Sequence, residues 1–223
     1  MKKYIDLSHT IENGMITYQS LPGPVISDFL SREKSRDLYS HGTEFHVALI
    51  EMVSNTGTYM DTPFHRYEGG RDLADLKLSQ LTDLDTITIK ANDLPDKGIG
   101  VSAFRGYDLT GKAVLVYTGF DKNWGTDKYF YDHPFLTKEA AEYIAEQSSV
   151  LVGIDTYNID DVADRSRSAH TILLAKDILI IEHMCNLREL PEEGYTFTAV
   201  PQKIRGVGSF PVRAFATLNY NQP

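Results

Sequence analysis

At 223 residues, 42% hydrophobic and 24% charged, the chain has the composition of an ordinary globular protein, with no bias toward disorder, and fits one domain over residues 1–223 with a substantial core. Its formal net charge of -9, with no basic run longer than Lys2-Lys3, argues against nucleic acid and for a small neutral or weakly charged substrate. Asp6 and Ser8 interrupt the apolar residues that follow Lys2-Lys3, and no apolar stretch approaches the length that spans a bilayer, so no membrane partner is expected and the expected location is cytoplasmic.

In chain order, Thr86-Ile87-Thr88-Ile89 alternates polar with apolar residues and predicts a strand with one buried face. Ala113-Val114-Leu115-Val116-Tyr117, Val150-Leu151-Val152-Gly153-Ile154 and Ile178-Leu179-Ile180-Ile181 are continuous apolar runs, the pattern of strands buried on both faces. Between them, residues 137–147 predict a helix over the sheet, with Thr137 as N-cap, Glu139 in the first turn, and Ala141, Ile144 and Ala145 at helical spacing. Pro22-Gly23-Pro24, Gly69-Gly70, Gly98-Ile99-Gly100 and Gly206-Val207-Gly208 read as turns, and Phe210 to Leu218 as an apolar strand near a sheet edge. Many strands with few helices, lacking a regular β-helix alternation, point to α+β or β-rich α/β layers.

Several motifs are incomplete or absent. Gly106 to Lys112 mimics a phosphate loop, but Ala113 stands where a metal-binding hydroxyl is needed, and the segment precedes a strand instead of following one. No Gly-x-Ser-x-Gly elbow occurs. Asp160-Asp161 and Glu192-Glu193 read as solvated turn residues, and Cys185, the only cysteine, as a buried small hydrophobe.

The informative segment is Ser54-Asn55-Thr56-Gly57-Thr58-Tyr59-Met60-Asp61-Thr62-Pro63-Phe64-His65, a polar stretch ending in an acid and a histidine four residues apart. It resembles the His-Thr-Gly-Thr-His-x-Asp-Ala-Pro-x-His signature of the cyclase family, which includes kynurenine formamidase-like and isatin hydrolase-like metal-dependent hydrolases. Thr56, Gly57, Thr58, Asp61, Pro63 and His65 match in register, and Gly69-Gly70 supply the glycine turn that follows. The likeness extends over nearly the whole chain, through residues 4–11 with Asn13-Gly14-Met15, residues 117–121 with Trp124, residues 152–155 with Ile159-Asp160, and residues 170–174. It continues through Ile181-Glu182 with Asn186-Leu187 and ends at Pro211-Val212-Arg213-Ala214.

This resemblance implies a swivelling β/β/α-type domain, assembled as a homo-oligomer (dimer or tetramer), with a divalent metal site that hydrolyses amide or related carbonyl bonds. It assigns Asp61, His170 and Glu182 as metal ligands and His65 as the proton-transfer histidine. Asn55 and Tyr59 occupy two signature positions where the family carries ligand histidines. Asn55 offers only a neutral carbonyl oxygen, and Tyr59 must lose a proton of pKa about 10 to become a strong ligand. One ion, zinc, manganese or magnesium, is therefore expected on the remaining trio. Tyr18, Phe120 and Trp124 are candidate pocket residues.

Three functions remain open from sequence: a metal-dependent, arylformamidase-like hydrolase of an amide, lactam or lactone in a small metabolite, aromatic or not; a relative that binds such a metabolite without metal; and a metal-free lyase or isomerase using Tyr59 and His65.

Overall fold

The apolar runs assemble into one eight-stranded sheet that closes on itself. In the computed structural model, which describes residues 1–219, the strands are β1 (Lys2–Asp6), β2 (Val25–Leu30), β3 (Val47–Glu51), β4 (Tyr59–Asp61), β5 (Leu84–Lys90), β6 (Gly98–Ile99), β7 (Ala113–Tyr117), β8 (Phe135–Leu136), β9 (Leu151–Ile154), β10 (Leu179–Glu182), β11 (Tyr195–Pro201) and β12 (Ser209–Asn219). The helices are α1 (Arg32–Ser35), α2 (Pro63–Arg66), α3 (Lys138–Glu146) and α4 (Ser168–Ala175). Among these residues no helix is long and apolar enough to cross a membrane.

Sheet order is β1-β12-β11-β5-β7-β9-β10-β4, and β4 also pairs with β12, so seven strands form a ring with β1 outside it. Strands β5, β7, β9 and β10 run parallel, and the remaining pairings are antiparallel. The pleat sorts side chains onto two faces. Met60, Leu115, Leu151, Ile181, Phe197 and Ala214 pack together inside the ring. Val114, Val116, Val152, Ile154 and Ile180 face outward against Ile144 of α3 and Leu173 of α4. Thr137 caps α3 by accepting from the Ala140 N–H at 3.2 Å, and Ala140, Ala141 and Ile144 form its buried stripe.

Three local expectations change. Thr86 and Thr88 are fully buried, because β5 lies within the ring; Thr88 Oγ1 bonds the Tyr195 hydroxyl at 2.6 Å and Thr86 Oγ1 donates to the Leu84 carbonyl at 2.6 Å. Gly98-Ile99 is a two-residue strand paired in parallel with Phe135-Leu136, not a turn. The apolar strand 210–218 lies beside the edge strand β1 but has no open edge of its own, since β11 pairs along one side of β12 and β1 and β4 along the other.

The exposed apolar surface lies instead on the β2-β3 hairpin. Almost every residue of its two strands is exposed, including Phe29 at 75% and Ile50 at 57%. It joins the body where Gly14 N–H donates to the Pro24 carbonyl at 2.7 Å and Ile26 N–H donates to Asn13 Oδ1 at 2.7 Å. A two-stranded ribbon is only marginally stable in water.

Candidate active site

Ring closure builds the site. Strand β4 is three residues long, and its register places Asp61 opposite Ile180 on one side and Ser209 on the other, with Tyr59 opposite Glu182 and Pro211. Met60 points into the ring, so Tyr59 and Asp61, one residue to either side, point out of it. Helix α2 then delivers His65 and α4 delivers His170 over these side chains. Gly208 permits the approach of α2: a Cβ there would lie 2.4 Å from the His65 nitrogen.

Asp61 is fully buried. Its Oδ1 accepts a short hydrogen bond from Ser209 Oγ, while Oδ2 has no hydrogen-bond partner. Ser209 has one hydroxyl proton, which is engaged in donating to the carboxylate, so the 2.8 Å contact between Ser209 Oγ and His65 Nδ1 has the imidazole as donor. The relay His65 Nδ1–H to Ser209 to Asp61 leaves the lone pair of His65 on Nε2.

His170 is held from behind. Its Nδ1 lies 2.5 Å from Asp160 Oδ2, while Asp160 also accepts from the N–H groups of Ala169 at 2.6 Å and His170 at 3.3 Å, capping the first turn of α4 from a separate loop. Nε2 is thereby aimed at Asp61 Oδ2, 3.6 Å away, and Glu182 Oε1, 3.7 Å away. Burial alone would lower the His170 pKa, but the Glu182, Asp160 and Asp61 carboxylates outweigh it and push it up to about 10. The cluster thus draws a positive charge to its centre.

Both oxygens of Glu182 are hydrogen-bonded: Oε1 accepts from Ile159 N–H at 2.7 Å, and Oε2 accepts from the hydroxyls of Tyr59 at 2.5 Å and Tyr18 at 3.2 Å. Burial first, and the Glu182 charge second, raise both phenols well above their usual pKa, so they persist as donors. Tyr59 therefore places a proton against Glu182 where the signature would place a metal-binding imidazole. Asn55 lines the same cavity and accepts from Ser54 Oγ at 3.0 Å.

Among the described residues, the trio whose ligand atoms all lie within 4.8 Å of one another is Asp61, His65 and His170. The buried, unbonded Asp61 Oδ2 beside His170 Nε2 suits a cation, and the Asp160–His170 pair is the outer support that orients a ligating imidazole. The cavity over them, about 440 Å³, is lined by Tyr18, Asn55, Tyr59, His65, His170 and Glu182 among others. That volume is the scale of a small metabolite.

Phe120 and Trp124 do not line this cavity. Phe120 packs on Tyr129 with ring centroids 5.6 Å apart, and Trp124 stacks on His9 at 3.9 Å and borders a separate hollow with Met15, Ile16 and Phe130. Burial lowers His9 to about 4, opposed in part by Asp121, so the stacked imidazole is neutral. Asp160 is buried, not a solvated turn residue, because it bonds α4 and His170. Cys185 is buried and its thiol is pushed up to about 12 by that burial and nearby acids, as suits an inert packing residue.

No sequence motif marks Asp160 or Ser209 as part of the site. Their only local signals are the acid after Ile159 and the Gly206-Val207-Gly208 turn that precedes Ser209. Ser209→Ala is expected to lower activity about 10- to 100-fold, the usual effect of removing a side chain that orients a reacting group. Circular dichroism should show the fold retained, and steady-state rates on any hydrolysed substrate provide the check; parental rates would remove Ser209 from the relay.

Residues 5–161 match the sequence model of the Cyclase family, described as "Putative cyclase". The kynurenine formamidase of Bacillus anthracis is 28% identical over 217 residues, covering 95% of this chain and 96% of that protein. The kynurenine formamidase of Bacillus cytotoxicus is 25% identical with the same coverage. A solved isatin hydrolase bound to the product analogue thioisatinate superposes with a TM-score of 0.82 at 20% identity, over 98% of this chain and 93% of that one. A structure described as a potential metal-dependent hydrolase with cyclase activity gives 0.80 at 23% identity, over 99% and 100%. With the family signature across most of its length and the same fold in these neighbours, the chain belongs to the Cyclase family.

Proposed function

We propose that this protein is a metal-dependent hydrolase that cleaves a C–N bond in a small aromatic amide or lactam, in the manner of an arylformamidase. The observation that carries the reading is the buried, unbonded Asp61 Oδ2 beside His170 Nε2, under a histidine whose Nε2 is left as a base by the Ser209 relay. Asp61 and His170 would hold one divalent ion, zinc, manganese or magnesium, with Glu182 completing the set. When bound, such an ion supplies Lewis-acid polarisation and a more acidic water.

His65 Nε2 takes a proton from the attacking water and returns it to the departing nitrogen, so that the carbonyl carbon gains a C–O bond as the C–N bond breaks, yielding an amine and a carboxylic acid. Ser209 fixes the His65 tautomer, Asp160 fixes that of His170, and Tyr59 with Tyr18 holds Glu182 in place. Support comes also from the kynurenine formamidase names of the relatives.

Protein purified without chelators should carry about one divalent ion per chain and hydrolyse formanilides or small lactams when supplemented with manganese or zinc. Elemental analysis with these assays is the test, and absence of turnover on all of them with the metal loaded would overturn the reading. The two tyrosine hydroxyls on Glu182 Oε2 favour one alternative, a metabolite-binding relative without metal.

The small-molecule site is expected to belong to a homo-oligomer in which the exposed β2-β3 hairpin packs on a second copy. Static light scattering should give at least a dimer. Phe29→Asp with Ile50→Lys should shift it to the monomer mass, because each charge would have to be desolvated at the interface. An unchanged mass in that double variant would place the interface elsewhere.

A further inference from the structure

Three basic side chains share the site cavity with His65, His170 and Glu182: Arg66, Arg165 and Arg167 all line it. Of the ten arginines in the chain, Arg32, Arg36, Arg71, Arg205 and Arg213 form ion pairs. Among the described residues, Arg66, Arg165 and Arg167 have no carboxylate within the 4.0 Å of an ion pair, so three of the five remaining guanidiniums share this one cavity. In a chain of net charge -9 that distribution is contrary to the overall field. Asp164, in the same loop as Arg165, is engaged locally, accepting from Ser166 N–H at 2.9 Å and Ser166 Oγ at 2.6 Å.

Two of the three are braced. Arg167 Nη1 donates to Asn158 Oδ1 at 2.9 Å, and Asn158 Nδ2 donates to the Tyr18 hydroxyl at 3.0 Å, which reaches Glu182. Arg66 Nε donates to Thr171 Oγ1 at 3.3 Å, and its guanidinium carbon lies 5.4 Å from the Tyr67 ring centre. Each bond uses one of five donors, leaving the rest for a ligand. Arg167 also holds a left-handed backbone, φ 50° and ψ 56°, at the N-cap position just before α4. Glycine or asparagine would adopt that conformation at less cost, and a strained arginine beside a cavity points to use of its side chain.

We infer that the substrate carries a carboxylate, bound by Arg167 with Arg165 and Arg66, which holds the scissile carbonyl beside His65 and His170 in the same cavity. The planar fork of arginine matches a carboxylate in two parallel hydrogen bonds. The selection of an anionic substrate rests on the hydrolase reading of the site; the binding of a carboxylate does not.

The test therefore has two arms. In calorimetry, the protein should bind benzoate at least 10-fold tighter than benzamide. Arg165→Gln with Arg167→Gln should erase the difference, and Arg167→Lys alone should keep part of it. Arg165→Gln with Arg66→Gln, both at exposed positions, gives the same reading should the Arg167 variant fail to fold. Equal affinity for benzoate and benzamide in the parent, or an undiminished preference in a folded double variant, overturns the inference.

In the kinetic arm, kcat/KM for N-formylanthranilate should exceed that for formanilide at least 10-fold, and the same double variant should narrow the ratio. If neither anilide turns over, the hydrolase reading falls while the calorimetric difference still decides the carboxylate site. Turnover of both with no preference for the acid, together with equal binding, removes the carboxylate site and leaves the hydrolase.

Discussion

His65→Ala is expected to lower turnover about 10²- to 10⁴-fold, the usual contribution of a positioned acid-base group, while metal content and folding stay near those of the parent. His65 sits at the partly open mouth of the site, with 36% of its side chain exposed, so truncation leaves no large buried cavity. The check is paired: steady-state kinetics on a hydrolysed amide and elemental analysis of the same preparation. His65 also falls within the trio that could share an ion, so the metal readout separates two roles. A loss of activity that tracks a loss of metal would make His65 a ligand, and a full rate with metal bound would remove it from the mechanism.

Asp155→Ala should give the largest loss of stability at a position away from the reacting groups. Its carboxyl is fully buried and accepts from Thr118 N–H at 2.9 Å, Thr118 Oγ1 at 2.7 Å and Gly119 N–H at 2.9 Å, fixing the turn after β7. Truncation leaves these donors unpaired, for a cost of about 3–5 kcal/mol in denaturant or thermal unfolding.

Burial raises the Asp155 pKa from 3.8 to about 7 against the pull of those hydrogen bonds. A folded-state pKa above the unfolded one means that the group's stabilising contribution is complete below pH 3.8 and is lost as pH rises to about 7. In Asp155→Asn, which cannot titrate, stability at pH 7 relative to pH 4 should therefore improve on the parent's by up to about 4 kcal/mol. Unfolding curves with the same pH slope in both proteins would show that Asp155 does not titrate in this window.

Much of the scaffold was legible in the sequence because its signals are local. The continuous apolar runs at 113–117 and 151–154 are strands buried on both faces, as a strand between helices and a ring interior must be. The helix after Thr137 begins with the expected cap, because a threonine hydroxyl can satisfy an N–H of its first turn without help from elsewhere in the chain. The signature at 55–65 and the long likeness around it were sufficient to name the family.

What the sequence left out, tertiary structure decided, and in each case through contacts between residues distant along the chain. Asp160 reads as a surface turn until α4 folds back over it, and Ser209 has no character until β12 pairs with the three-residue β4 and sets it beside Asp61, 148 positions earlier. The same closure covers the strand 210–218 that looks like an edge when read alone. Tyr59 is a lost ligand in the sequence; in the fold it is a buried hydroxyl that donates a hydrogen bond to Glu182, because β4 and β10 pair in a register that puts the two side chains together. Residue type determines what a group can donate or accept, and only the closed ring determines to whom.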